Sequence, residues 1–187
     1  MLTSGLIGIG KPMNGHSIAA IVGAETPVIQ KLLMQAAAGW RASGLRVCGI
    51  VEDVKGPSNR SCGGSVLRNI ESGKIFEMFL EEAPAHTSYI LDELGVVEAC
   101  SSVIDSIPSS DVVILSKFGK AEAVGSGLFD AFELALSLGK PTITSVAPKF
   151  HYFWNRFTPN AAFIRPSHAE IESWKNGAIR PLAALAG

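Results

Sequence analysis

Two short apolar runs, separated by one helix-length segment, limit most strongly what this chain can fold into. The runs are residues 18–23 and LRVCGIV at 45–51. Between them, apolar residues recur at helical spacing and predict an amphipathic helix over 27–43, with Thr26 as its N-cap and Gly44 at its end. Strand, helix and strand within about 30 residues predict a βαβ unit, whose strands are parallel and whose crossover is right-handed.

The same alternation continues along the chain. SVLRNI and KIFEMFL flank the turn at 71–73 and predict a β-hairpin, after a polar loop at 52–64. After the hairpin, the pattern predicts a helix over 91–107, a strand at 111–115, a loop at 116–127 and a helix over 128–139. A strand at 141–147, a short aromatic helix and a strand at 161–165 follow. The last predicted helix runs through Trp174 and starts with a Ser167–Glu170 capping box.

These elements predict one three-layer α/β domain with a mostly parallel sheet and an added hairpin. We place the domain at 18–177, after a flexible leader at 1–17 and before a C-terminal tail at 178–187. The length of 187 residues fits a single domain, because domains are usually about 50–250 residues long.

Composition excludes several classes of partner. The chain is 47% hydrophobic and 18% charged, with a formal net charge of −1, so neither nucleic acid nor an anionic membrane is expected to bind it. The N-terminal stretch does not resemble a signal peptide, and no apolar run approaches the roughly 20 residues of a membrane helix. Three scattered cysteines form no disulfide framework. We expect a cytoplasmic protein.

The connection after the first strand, GAETPVIQK at 23–31, stands where a phosphate-binding loop would lie. That loop requires G-x-x-x-x-G-K-[ST], in which backbone N–H groups and a lysine hold the phosphates and a hydroxyl holds magnesium. Counted from Gly23, the second glycine position is Val28, the lysine position is Ile29 and the hydroxyl position is Gln30. All three functional positions are therefore replaced.

Further residues of this degenerate loop act against an anion. Glu25 places a negative charge just before the helix N-terminus, and Pro27, next to Thr26, removes a backbone donor. Lys31 follows two residues late, roughly 200° around the helix, and cannot replace the missing lysine. We interpret the segment as a strand-to-helix connection without phosphate-binding chemistry.

The order of elements resembles the small nucleoside-triphosphatase family of thermophiles, over about residues 18–175. The similar features are GWRASGLRVCGIV, the hairpin SVLRNIESGKIF and DVVILSKFGKAE. In that family the strand corresponding to 111–115 is followed by Asp-Glu-Ile-Gly-Lys-x-Glu, and here Ser116 and Lys117 replace its Asp and Glu. The resemblance implies that the magnesium ligand and the water-activating group are both absent, and metal-assisted phosphoryl transfer needs them.

A closer resemblance is to a bacterial family of unknown function that shares the segment Lys-Phe-Gly-Lys-x-Glu and the degenerate first loop. Its members are often encoded beside molybdate-uptake or molybdenum-cofactor genes. The resemblance therefore implies a connection with molybdenum metabolism.

The loop at 116–127 is the strongest candidate for a ligand site. In open α/β sheets, ligands bind beyond the carboxyl ends of the strands. Two lysines and a helix N-terminus favour an anion, and glycines allow a ligand to approach the backbone. We predict that an anion, an oxyanion or a nucleotide fragment is bound by Lys117, Gly119, Lys120, Glu122, Gly125, Ser126 and Gly127. The alternative is that both lysines are simply solvated.

Other residues carry weaker signals. Cys62, in the polar segment RSCGG, is a candidate reactive thiol, whereas Cys48 and Cys100 fit a core. His151 and His168 have no partner at metal-ligand spacing, so we predict neither a metal site nor a cofactor. The aromatic residues at 150–157 are too dense to be buried on one helical face. A homo-oligomer interface is therefore an alternative to a core role for part of this cluster.

Two classes of function remain. The first is a non-hydrolysing protein that binds a small anion or a nucleotide, or regulates through it, on a degenerate P-loop scaffold. The second is a weak nucleoside-triphosphatase with atypical site residues. The replacement of the lysine, the hydroxyl, the Asp and the Glu favours the first, and we predict no catalytic residues.

Overall fold

The computed structural model describes residues 17–54, 65–78 and 93–179. Within them lie seven strands: β1 (Ile18–Ile21), β2 (Val47–Val54), β3 (Ser65–Asn69), β4 (Ile75–Glu77), β5 (Val112–Leu115), β6 (Thr142–Ser145) and β7 (Ala162–Ile164). The helices of the same residues are α1 (Thr26–Ala42), α2 (Glu93–Ile104), α3 (Lys120–Ala123), α4 (Phe129–Ser137), α5 (His151–Phe157) and α6 (His168–Ala178).

The strands form one sheet in the order β4-β3-β2-β5-β6-β1-β7. The five strands from β2 to β7 in this order are parallel, and the hairpin β3–β4 extends the sheet antiparallel at the β2 edge. The predicted mixed α/β fold with an added hairpin is therefore confirmed. β1 and β2 are parallel as predicted, but β5 and β6 lie between them, so α1 crosses several strands.

Alternating side chains divide the interior into two cores. On β5, Val112 and Ile114 pack into the core beneath α1 and α6, while Val113 and Leu115 pack into the core with α2 and α4. Because both faces of the parallel strands are covered, β5 is buried at every position, as its unbroken apolar sequence indicates. The sheet and its two helical layers give the three-layer architecture.

The structure corrects several predicted boundaries. Glu25, not Thr26, is the N-cap of α1, and it makes no side-chain capping bond. The predicted loop at 116–127 contains the short helix α3. Ser167 does cap α6, accepting from the Glu170 N–H at 3.3 Å, and that helix continues to Ala178, one residue beyond the predicted domain end.

Several predictions concern parts of the chain outside the described residues. The leader to residue 16, the tail from residue 180, and Cys62 all lie there. Across the described part of the chain, no helix has the length and apolar character needed to cross a membrane.

The two described cysteines support a labelling prediction. Cys48 and Cys100 are buried free thiols. Burial raises the pKa of Cys48 to about 11 and also raises that of Cys100, so both are nearly all protonated near neutral pH. We expect a thiol reagent to label Cys62 of the folded protein well before Cys48 or Cys100, as measured by peptide mass spectrometry.

Labelling in denaturant provides the control, since all three cysteines should then react at similar rates. Equal protection of the three in the folded protein would remove the proposed reactivity of Cys62.

Candidate functional site

The carboxyl ends of β1, β5 and β6 border a cavity of about 610 Å³. Its lining comes from the three loops that follow these strands, residues 23–27, 117–120 and 145–150, together with Ile29. Three of the lining residues are lysines, and we call it the lysine cavity. It lies where ligands bind in open parallel sheets.

Backbone hydrogen bonds fix these loops relative to one another. The Phe118 N–H donates to the Ser145 carbonyl at 2.9 Å, and the Val146 N–H donates to the Ile21 carbonyl at 3.3 Å. The buried Phe118 ring also packs edge-on against Trp154, 5.1 Å between ring centroids. The segment that carries Lys117 and Lys120 is therefore anchored on both sides by buried contacts.

The three lysines of the cavity differ in their surroundings. Lys117 pairs with Glu52, its Nζ lying 2.9 Å from the Oε2 of a carboxylate that is only 10% exposed. Lys120 and Lys149 are exposed, and the Lys149 ammonium lies over the Phe150 ring. With Lys117 neutralised by Glu52, Lys120 and Lys149 outnumber Glu25 in the lining and leave the cavity a positive balance.

Gln30, at the hydroxyl position of the degenerate loop, is buried and used within the protein. Its Nε2 donates to the Ser116 carbonyl at 2.7 Å, and its Oε1 accepts from the Glu52 N–H at 3.0 Å. The amide thus ties α1 to β2 and to the end of β5. In the similar family, a hydroxyl and an aspartate hold magnesium. At these two positions this chain has Gln30, whose amide is already hydrogen-bonded, and Ser116, and these residues do not fit that ion.

Among the described residues, no group of three or more His, Cys, Asp and Glu side chains is placed to hold a metal ion.

Glu122 holds the backbone of its own loop. One carboxylate oxygen accepts from the Gly119 N–H at 2.9 Å and the other from the Leu128 N–H at 3.0 Å. The side chain is buried, so Glu122 positions the segment and both of its oxygens are occupied. The hydrogen bonds thus give Glu122 a structural role that the sequence did not indicate, and its contact with an anion stays a prediction.

The predicted helix N-terminus at the end of this loop needs correction. Helix α4 begins at Phe129, and the N–H of Leu128 before it is taken by Glu122. The Ser126 N–H donates to the Ala121 carbonyl at 2.9 Å. These donors are therefore already used within the protein.

The structure divides the predicted site residues into two groups. Lys117, Gly119 and Lys120 join the degenerate-loop residues Gly23, Glu25 and Thr26 around the lysine cavity. The predicted residues Gly125, Ser126 and Gly127 instead line a separate cavity of about 510 Å³ beside α2 and α4. Lys31 is exposed on α1 and does not line the lysine cavity.

Sequence reasoning missed Lys149. It follows the predicted strand at 141–147 as Lys117 follows the strand at 111–115, and parallel strands bring such loops to one edge of the sheet. That shared position was the available signal. No sequence signal indicated the Lys117–Glu52 ion pair, because its partners are 65 residues apart in the chain.

A mostly parallel sheet with helices on both faces and a cavity at its carboxyl edge defines an α/β protein with a strand-end cavity. The chain belongs to the family described as protein of unknown function (DUF2478), whose model matches residues 18–174.

One curated protein is a distant relative. Over 162 residues the chain is 28% identical to the molybdenum import ATP-binding protein ModC 2 of Bradyrhizobium diazoefficiens. The aligned region covers 85% of this chain but only 18% of that protein. No solved structure matches the chain at a significant level.

Proposed function

We propose that this protein binds a small phosphate-like anion in the lysine cavity and does not hydrolyse it. The observation that carries the proposal is the convergence of Lys117, Lys120 and Lys149 on a cavity of about 610 Å³ at the carboxyl ends of three parallel strands. Lysine ammonium groups recognise phosphate and similar oxyanions as point charges.

The surrounding network supports binding without hydrolysis. Attack on a phosphoryl group requires a positioned water and a stabilised leaving charge. At the positions that correspond to those roles in the similar family, this chain has Gln30, whose amide is engaged with Ser116 and Glu52, and Lys117, which neutralises Glu52. None of these groups is placed as a general base.

Molybdate and tungstate are the oxyanions to test beside phosphate. The printed name of the distant relative concerns molybdenum import, and the family resemblance implies proximity to molybdate genes. Each of these ions is a tetrahedral oxyanion that a small group of lysines can hold. We therefore extend the proposal to a binding or regulatory role in molybdenum metabolism.

Calorimetry of a lysine double variant tests the site. We expect Lys120→Ala with Lys149→Ala to weaken binding of phosphate, molybdate or a nucleotide about 10- to 30-fold, since each exposed ammonium contributes about 0.7–1 kcal/mol. Lys117 is left in place, because its removal would strand the nearly buried Glu52 carboxylate.

The matched control is Lys31→Ala with Lys74→Ala, which removes the same charge from exposed positions outside the cavity. Equal loss in both variants would show only a general charge effect. No binding of any of these anions to the wild type would contradict the proposed function.

Hydrolysis provides a second test. We expect no magnesium-dependent release of phosphate from ATP or GTP above background, because the catalytic positions hold Gln30, Ser116 and Lys117. A phosphate-release assay with a buffer blank measures this. Turnover that is lost on replacing residues 23–31 would establish the alternative function, a weak nucleoside-triphosphatase.

A further inference from the structure

A second cavity, of about 210 Å³, adjoins the lysine cavity. Lys117, Gly119 and Lys120 line both, so the same short segment separates them. We call the second one the apolar cavity. The two cavities are therefore neighbours on either side of this segment, of which Lys120 is exposed.

The walls of the apolar cavity offer hydrophobic contact. Leu67 from β3, Met78 after β4, Val96 from α2 and Leu128 before α4 line it. Their side chains are at most 6% exposed and belong to the core between the sheet and α2. An apolar group placed among them would exchange water for close-packed hydrocarbon.

Two of the three charged side chains of this lining, Glu122 and Lys117, are already paired within the protein. Both Glu122 oxygens accept backbone N–H groups, and the Lys117 ammonium is paired with Glu52.

The polar groups of the lining that are not paired are the exposed Lys120 and the buried Ser116 Oγ. A polar group placed among Leu67, Met78 and Val96 would lose its hydration at an apolar wall. That wall favours an apolar group.

The cavity is also large enough for a ring. An engineered cavity of about 150 Å³ lined by apolar side chains takes up benzene. The apolar cavity is larger, about 210 Å³. It can hold an aromatic ring or a branched aliphatic group of similar size.

We propose that the ligand is an organic anion: its phosphate-like group lies in the lysine cavity beside Lys120, and an attached apolar group enters the apolar cavity. This inference rests on the proposed function. It narrows that function from any oxyanion to an organic ester or phosphonate with a ring-sized apolar substituent. A bare inorganic oxyanion would use only half of the site.

Calorimetry with three probes of the same charged group tests the inference: inorganic phosphate, methyl phosphate and phenyl phosphate. We expect phenyl phosphate to bind about tenfold or more tightly than methyl phosphate, because only its ring buries apolar surface in the second cavity. Nuclear Overhauser contacts from the phenyl protons should reach the methyl groups of Leu67, Val96 and Leu128.

A filling variant gives the matched comparison. Val96→Phe should place its own ring in the apolar cavity and remove the preference for phenyl over methyl phosphate. Val97→Phe, the same change at the next and 51% exposed position of α2, should retain it. If Val96→Phe does not fold, the Overhauser contacts of the wild type still decide.

The two proposals fail differently. Equal affinities for methyl and phenyl phosphate, with phosphate bound, would overturn this inference and leave the anion site standing. Binding of none of the three probes would overturn both. A phenyl preference unaffected by Val96→Phe, without contacts to the cavity methyl groups, would also overturn it.

Discussion

Replacing Gly49 with alanine is expected to destabilise the protein by at least about 4 kcal/mol, a large part of the 5–15 kcal/mol that holds most domains folded. Gly49 lies in the middle of β2 with φ +141°, a conformation that L side chains rarely adopt. It pairs with Ile114 in the adjacent strand β5.

The steric reason is specific to this pairing. An added Cβ would overlap the Ile114 carbonyl oxygen and lie 2.7 Å from its carbon. These are backbone atoms of the central strand β5, which leads directly into Ser116 and Lys117, so they cannot move aside without disturbing the candidate site. Urea unfolding measures the loss, which we expect to appear as a much lower midpoint or as insoluble protein.

The control is Gly39→Ala, on the exposed side of α1, where an added methyl group meets no atom within 4 Å. Helix propensity predicts that this change stabilises the protein by up to about 1 kcal/mol. Wild-type stability in Gly49→Ala would contradict the described pairing of β2 with β5.

Replacing Glu122 with alanine should cost about 2–4 kcal/mol. The change leaves the N–H groups of Gly119 and Leu128 without an acceptor in a buried position, at about 1–3 kcal/mol each when neither is rehydrated. We expect Glu122→Gln to cost less, because its remaining carbonyl oxygen can keep one of the two bonds. Urea unfolding of the two variants measures the difference.

Glu133→Ala serves as the matched control, because Glu133 is an exposed carboxylate on α4. It should change stability by less than about 0.5 kcal/mol. If Glu122→Ala is as stable as this control, the carboxylate does not hold the loop. That result would favour the prediction that Glu122 contacts a ligand.

Local patterns were sufficient to predict most elements of the fold. The apolar stripe on α1 has the period of a helix, and the short, unbroken apolar run of β5 has the length of a buried strand; the structure confirms both. The hairpin β3–β4 followed from its turn at 71–73. These features depend on residues that are neighbours in the sequence.

Strand order and the site network could not be predicted in this way. The sequence suggested that β1 and β2 form one βαβ unit, but their separation by β5 and β6 depends on packing between distant segments. Gln30 is a second example. In the sequence it occupies the hydroxyl position of a degenerate phosphate-binding loop, whereas in the structure its amide is hydrogen-bonded to both Ser116 and Glu52. Long-range hydrogen bonds leave no periodic signal in a sequence.

The candidate site was therefore predicted in part. Position after a buried strand identified Lys117 and Lys120, and both line the lysine cavity. The glycines at 125 and 127 were grouped with them by sequence proximity, but the turn after α3 directs that end of the loop to another cavity. The sequence analysis assigned Glu122 to a ligand because a sequence does not show the two backbone N–H groups that donate to its carboxylate in the folded loop.

Amide chemical shifts, recorded by NMR as phosphate or molybdate is added to the isotope-labelled wild type, test the central claim most directly. Our account predicts saturable shifts concentrated in residues 23–26, 117–120, 146–147 and 149–150, which lie in the three loops around the lysine cavity. The amide of Lys31, outside the cavity, provides an internal control. No saturable shift with any of these anions, or shifts centred elsewhere on the protein, would contradict the account.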